Sequence, residues 1–247
     1  MISIFWNLYI AVVYAILYLC FVAYPLVFGQ ERGWQPGFIG LAFLGIGLGS
    51  LIAISLEPAF RRMINSHKLD PITGKVPPEA MVSVVCIASL SIPIGELIFA
   101  WTCTPNVHWI APILAGLPFG AGNTACFIYA SNYLVHSYGI FAASALAGNS
   151  VLRSLLGGTL PLAGPKLYES LGPHWAGTLL ALLEFLLVPI PFVFYRYGAK
   201  IRRKSKLIMQ MQEDKDRLEG RKTAGREKAA ARAARENQRN EKKLLEG

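Results

Sequence analysis

Ala145-Leu-Ala-Gly-Asn-Ser-Val-Leu-Arg153-Ser-Leu-Leu-Gly-Gly-Thr-Leu-Pro-Leu-Ala163 is an apolar run broken by one formal charge. Arg153 is the first Asp, Glu, Lys or Arg after Glu96. A soluble domain carries charge on about a quarter of its residues, and so long an uncharged stretch does not fit a wetted surface. The run reads as a membrane-crossing helix. Its arginine then needs a partner, and the candidates within the chain are Glu96 and Glu184, the other two ionisable residues well inside apolar segments.

Working outward, the 247-residue chain is 53% apolar and only 16% charged, and the charge is unevenly placed. From Arg196 onward there are 17 Lys/Arg against 8 Asp/Glu, whereas residues 1–195 hold 7 of each sign. The basic character belongs to a tail, and the body is a neutral apolar object. Six segments, 4–28, 37–56, 82–102, 110–135, 139–163 and 175–195, are each long enough to cross a hydrocarbon core as helix, which takes roughly 17–25 residues. Helix is the form expected, because backbone groups unpaired in lipid cost several kcal/mol. The first segment is too long for a signal-peptide core and lacks a basic leader, so a mature span is expected. The four cysteines, Cys20, Cys86, Cys103 and Cys126, form no C-x-x-C pair, and the four histidines lack ligand spacing. No metal or cofactor site is expected.

Lys/Arg bias sets the expected topology. The 57–81 loop and the exit from the last segment carry ten basic residues, and the opposite side has only Arg32 and Lys166. Both termini and the 57–81 loop are therefore expected in the cytoplasm. Six spans divide into two triplets, and because three is odd the second enters the membrane inverted relative to the first, as in the halves of secondary transporters. The expected fold is an all-α membrane protein with two inverted three-helix repeats over residues 1–196. A basic cytoplasmic tail, helical or disordered, follows over 197–247. Within it Lys200–Lys206 suits anionic inner-leaflet lipid, and the adjacent membrane argues against nucleic acid as a partner.

Inside the spans, Gly45-x-x-x-Gly49 and Gly116-x-x-x-Gly120 allow close helix approach. Asn7, Ala11, Tyr14, Tyr18, Phe21 and Pro25 share one face of the first span. Gly120, Asn123, Phe127 and Ser131 make a similar face in the fourth, with Asn132 beside it, and Asn149 sits one turn before Arg153. Asn7, Tyr14, Tyr18, Asn123, Phe127, Asn132 and Asn149 are thus expected to line a wet cavity for organic cations or other amphipaths, partly through cation–π contact. Arg153, Glu184 and Glu96 are the candidates for intramembrane charge pairing and proton coupling. No paired-carboxylate, nucleophile–His or metal constellation points to an enzyme.

Leu69-Asp-Pro-Ile-Thr-Gly-Lys-Val-Pro-Pro-Glu-Ala80, Ser131-Asn-Tyr-Leu-Val-His-Ser-Tyr138, Ala143-Ser-Ala-Leu-Ala-Gly-Asn-Ser-Val-Leu-Arg153 and Pro191-Phe-Val-Phe-Tyr-Arg-Tyr-Gly-Ala-Lys200 carry a resemblance. They resemble the C-terminal half of fungal major facilitator drug:proton antiporters of the polyamine/multidrug type, over roughly residues 1–206. Two departures stand out: Met81 where the family usually carries arginine, and His136 where many relatives have aspartate. The resemblance implies proton-driven export of polyamines, drugs or other small organics across the plasma membrane, by alternating access around a midplane site. It also implies a second six-span half or a second copy as partner. The competing expectation is a transport-incompetent membrane fragment that associates with other helices.

Overall fold

Helices account for the architecture, and among the described residues there is no strand. The structure, a computed structural model, describes residues 2–69 and 76–204, with 217, 220, 221 and 223–225 beyond them. Most of the expected tail, Lys206 included, and residues 70–75 of the basic loop lie outside the described residues, as do the side chains of Arg202, Arg203 and Lys204.

The elements are α1 (Ile2–Tyr24), continued by a π-helical turn at Pro25–Glu31, then α2 (Pro36–Ala42), α3 (Leu44–Ser55), α4 (Glu57–Asn65), α5 (Glu79–Thr102), α6 (Ile110–Tyr138), α7 (Ala142–Leu187) and α8 (Pro189–Lys204). Proline shapes several junctions. Pro25 opens the π turn, and Pro36 and Pro58 occupy the first turns of α2 and α4, where a missing N–H is harmless. Five stretches are long and apolar enough to cross a membrane: Ile4–Glu31, Pro36–Ser55, Glu79–Thr102, Ile110–Tyr138 and Ala142–Ile201. The last has 60 residues, about twice what one crossing takes. It is divided at Gly172, whose φ of 74° and ψ of 160° are non-helical. That conformation suits a residue without a Cβ, and Pro173 follows at the start of the next helical segment.

Contacts give the direction of each rod. Asn7 lies beside Gly148, Tyr18 beside Gly157 and Val22 beside Gly164, so α1 and the 142–171 segment run parallel. Gly45 meets Ile113 and Gly49 meets Leu117, so α3 and α6 run parallel too. Ala100 meets Gly177 and Glu79 meets Gly198, so α5 runs antiparallel to the segment after Gly172. Tyr24 stacks on Phe99 at 4.8 Å, which places the C-terminal ends of α1 and α5 at one level. The chain therefore reverses at Gly172, and six rods alternate in direction. Pairing is symmetric: α1 packs on the fifth rod as α6 packs on α3, the exchange that two inverted triplets produce.

Glycine sets the closest of these approaches. A Cβ on Gly45, Gly49 or Gly120 would run into backbone atoms of the facing helix, and one on Gly116 would come within 2.9 Å of the Ile46 nitrogen. The two G-x-x-x-G pairs of α3 and α6 are thus each other's partners. Thr124 donates to Ser50 Oγ across the same seam at 2.8 Å. At one end of the bundle Trp6 stacks on Phe194 at 5.2 Å and meets Tyr133 edge-on at 5.3 Å. At the other end Trp34 meets Trp109 at 5.9 Å.

Candidate functional site

Halfway along α1, the stripe Tyr14–Tyr18–Phe21 turns toward the fourth and fifth rods. Tyr14 and Tyr18 lie 4.9 Å apart, Tyr18 and Phe21 5.6 Å, and Tyr14 and Phe127 6.2 Å. Arg153 places its guanidinium over two of these rings, 4.5 Å from the Tyr14 centroid and 5.1 Å from that of Phe127. Gly157, one turn further along, has no side chain to keep the Tyr18 ring off the helix. The platform is open on one side: Tyr18 is 37% exposed and Phe127 39%. Such cation–π contacts are worth about 0.5–2 kcal/mol, whereas a central membrane arginine costs about 2.5–3.5 kcal/mol. Two such contacts are comparable to that cost, and they engage the charge without an opposite charge to pair it.

This arrangement bears on two of the sequence readings. Arg153 pairs with neither Glu96 nor Glu184, and among the described residues no carboxylate lies within ion-pair distance of it. The physical reason is its position: it faces the α1 stripe while both glutamates sit on the opposite side of that helix. Nor are the rings empty for a cation, since the chain's own arginine already covers them.

The amides divide. Asn7 and Asn149 are buried near the crossing of α1 with the fifth rod, and the Asn149 Oδ1 has no hydrogen-bond partner among the described residues. Asn123 is buried and spends its Nδ2 on the Phe119 carbonyl at 3.0 Å, one turn back along α6. Asn132 is half-buried, and among the described residues no side-chain hydrogen bond ties it to the ring cluster. Tyr14, Tyr18, Phe127 and Arg153 are therefore brought together, Asn7 and Asn149 lie below them, and Asn123 and Asn132 stand apart.

Glu96 and Glu184 are each only 3% exposed. Both lie within electrostatic reach of Cys20 and of one another. Cys20 is two residues from Tyr18, about 200° round the helix, so the carboxyls occupy the face of α1 away from the rings. Both Glu184 oxygens lack a hydrogen-bond partner among the described residues. A Cβ on Gly177 would sit 3.8 Å from the Glu96 Oε1, which puts that carboxyl against the sixth rod.

Among known proteins, no family model matches the chain and no solved structure matches it. Curated relatives do. The chain is 46% identical over 200 residues to an MFS-type efflux pump of Trichophyton rubrum, with 81% of this chain and 33% of that protein covered. It is 46% identical over 202 residues to a major facilitator superfamily multidrug transporter of Aspergillus fumigatus, covering 80% and 32%. A major facilitator-type transporter of Hypocrea jecorina is 37% identical over 215 residues, covering 87% and 40%. The chain is a homologue of the fungal major facilitator efflux pumps. It spans about a third of the length of the first curated relatives it matches. With its apolar rods it is an integral, multi-pass membrane protein, and its relatives are transporters.

For this major facilitator homologue, sequence reasoning missed a clasp at one end of the bundle. Arg32 donates to the carbonyls of Thr102, Thr104 and Val107, at 2.9 Å for Val107, and ties the α1–α2 link to the α5–α6 link. Thr102 is the last residue of α5, where helix carbonyls lack their own donors and favour a cation. The signal in the sequence was one arginine in a short loop; which helix ended beside it was not readable. An apolar groove of about 580 Å³ also went unforeseen, lined by Trp34, Phe38, Leu44 and Trp109 at the α2–α3–α6 edge. It is separate from the ring cluster.

Proposed function

We propose that residues 1–196 form the C-terminal six-span half of a proton-coupled exporter of small organic molecules, working by alternating access with a second six-helix half. The tail, 197–247, is assigned to the cytoplasm and the protein to the plasma membrane. The observation that carries this reading is the open aromatic–arginine face at mid-depth, where α1, α6 and α7 meet. Midplane sites between repeats are where such transporters bind substrate. Tyr14, Tyr18 and Phe127 receive the apolar body, with Asn7 and Asn149 as polar neighbours and Asn123 and Asn132 in supporting positions on α6. Drug-like amphipaths fit this face better than polyamines, because Arg153 already covers the surface that would receive an amine. Glu184, buried with both oxygens unpartnered among the described residues, is the candidate proton carrier, and Glu96 its neighbour.

The test is flux. The chain is co-reconstituted in liposomes with the other six-span half of the Trichophyton rubrum pump and loaded with a drug-like dye. Efflux should follow an imposed proton gradient, collapse with a protonophore, and drop at least about tenfold in Glu184→Gln, as loss of a coupling proton site requires. Efflux unaffected by the protonophore removes proton coupling. Absence of gradient-dependent flux from the paired halves leaves a membrane segment that associates with other helices without transporting.

A further inference from the structure

We propose that the Tyr14–Phe127–Arg153 cluster is a carboxylate-recognition site. Arg153 takes the anionic group of an aromatic or otherwise apolar acid, or a carboxylate side chain of the second six-helix half. The inference rests on the reading that this face is substrate-facing, and it fixes the charge of what is received.

The charge inventory of the face leads there. From Met1 to the far end of α1 there is no formal charge before Glu31, α3 has none, and the chain from Leu97 to Leu152 has none. The two intramembrane carboxyls lie behind α1, around Cys20. A negative charge that meets Arg153 must therefore come from outside the described residues. The guanidinium also has room to receive one. Its carbon stands over the Tyr14 and Phe127 rings at 4.5 and 5.1 Å, which engage its flat face. Among the described residues its N–H groups donate no hydrogen bond, so the donor edge is uncommitted. That edge is a planar fork matched to the two oxygens of a carboxylate. Beside it Tyr18, Phe21 and Phe43 continue the aromatic surface, at 5.6 and 5.3 Å between successive rings, enough to receive the apolar part of the same molecule. An organic cation would have to displace the arginine from the rings and approach against its charge.

The full 247-residue chain in lipid nanodiscs is assayed by equilibrium dialysis with 2-naphthoate, 2-naphthylmethanol and 2-naphthylmethylammonium, alike in ring and different in charge. Naphthoate should bind at least about tenfold more tightly than the ammonium, as a charge-assisted pair in a site of low dielectric would give. Arg153→Gln should remove that preference while the alcohol binds as before, which also reports an intact fold, and Arg153→Lys should recover it in part. Equal naphthoate binding by wild type and Arg153→Gln, or tighter binding of the ammonium, overturns the proposal while leaving a substrate-facing cavity in place. A second arm adds the other six-span half. Naphthoate retained in the assembled pair identifies the ligand as the source of the carboxylate. Naphthoate displaced by that half, with co-purification weakened at least about fivefold by Arg153→Gln, identifies the partner half. If none of the three probes binds and co-purification is unchanged by Arg153→Gln, both this inference and the cavity reading fail.

Discussion

At the scale of single residues, the two arginines inside and beside the spans are held by different means. Arg153 rests on rings, whereas Arg32 is held by main-chain carbonyls. Removing Arg32 strips three carbonyls of a charged donor at once. Arg32→Ala should cost about 2 kcal/mol, read as a lower midpoint of thermal unfolding in detergent, and Arg32→Lys should recover only part because an ammonium cannot fork. Arg153 was legible as an anomaly, since an isolated charge in an apolar run needs no structure to be noticed. Its partners were not, because Tyr14, Phe127 and Arg153 meet only through the crossing of three helices distant in sequence. Asn123 shows the converse limit. Its helical register put it on a polar stripe, but periodicity does not say whether that stripe is open or sealed, and its amide turns back to Phe119.

At the scale of elements, the α3–α6 seam depends on absent side chains. Gly120→Leu would drive carbon into the backbone of Ile46, so its cost should exceed the ~1–3 kcal/mol of ordinary overpacking. Loss of the monodisperse peak in size-exclusion chromatography would report it. Gly47→Leu, on the exposed side of α3 with nothing within 4 Å of its would-be Cβ, should leave that peak intact. Both G-x-x-x-G pairs were visible as motifs. That they are partners of each other was not, because small residues announce a close approach without naming the surface approached. The end of the fifth rod was likewise hidden. The expected segment ended at 163, with Lys166 beyond it, yet the helix continues to the break at Gly172.

At the scale of the molecule, six rods of alternating direction separate two ends. One gathers Arg61, Arg62, Lys68, Arg196 and Lys200, and the other holds Arg32 and the Trp34–Trp109 contact. The proposed orientation, drawn from the charge bias, puts the first end in the cytoplasm. All four native cysteines are buried, so single introduced thiols can report sidedness. Asn106→Cys should react with an impermeant maleimide on intact cells, and Ser66→Cys only after the cells are opened; the opposite pattern would invert the assigned orientation. Hydropathy made this layout legible, since each rod had to be largely apolar along the stretch that crosses the membrane. The groove and the clasp escaped because loops and helix ends carry no period. The contact between Arg153 and Tyr14 has a consequence for biosynthesis. Helices leave the ribosome in order, and the fifth brings a charge that lipid alone does not accommodate. The first helix, made long before, holds half of the platform that lowers that cost. It must stay within reach, unmatched on that side, until the fifth arrives, so an earlier-made span acts as the receiving surface for a later one.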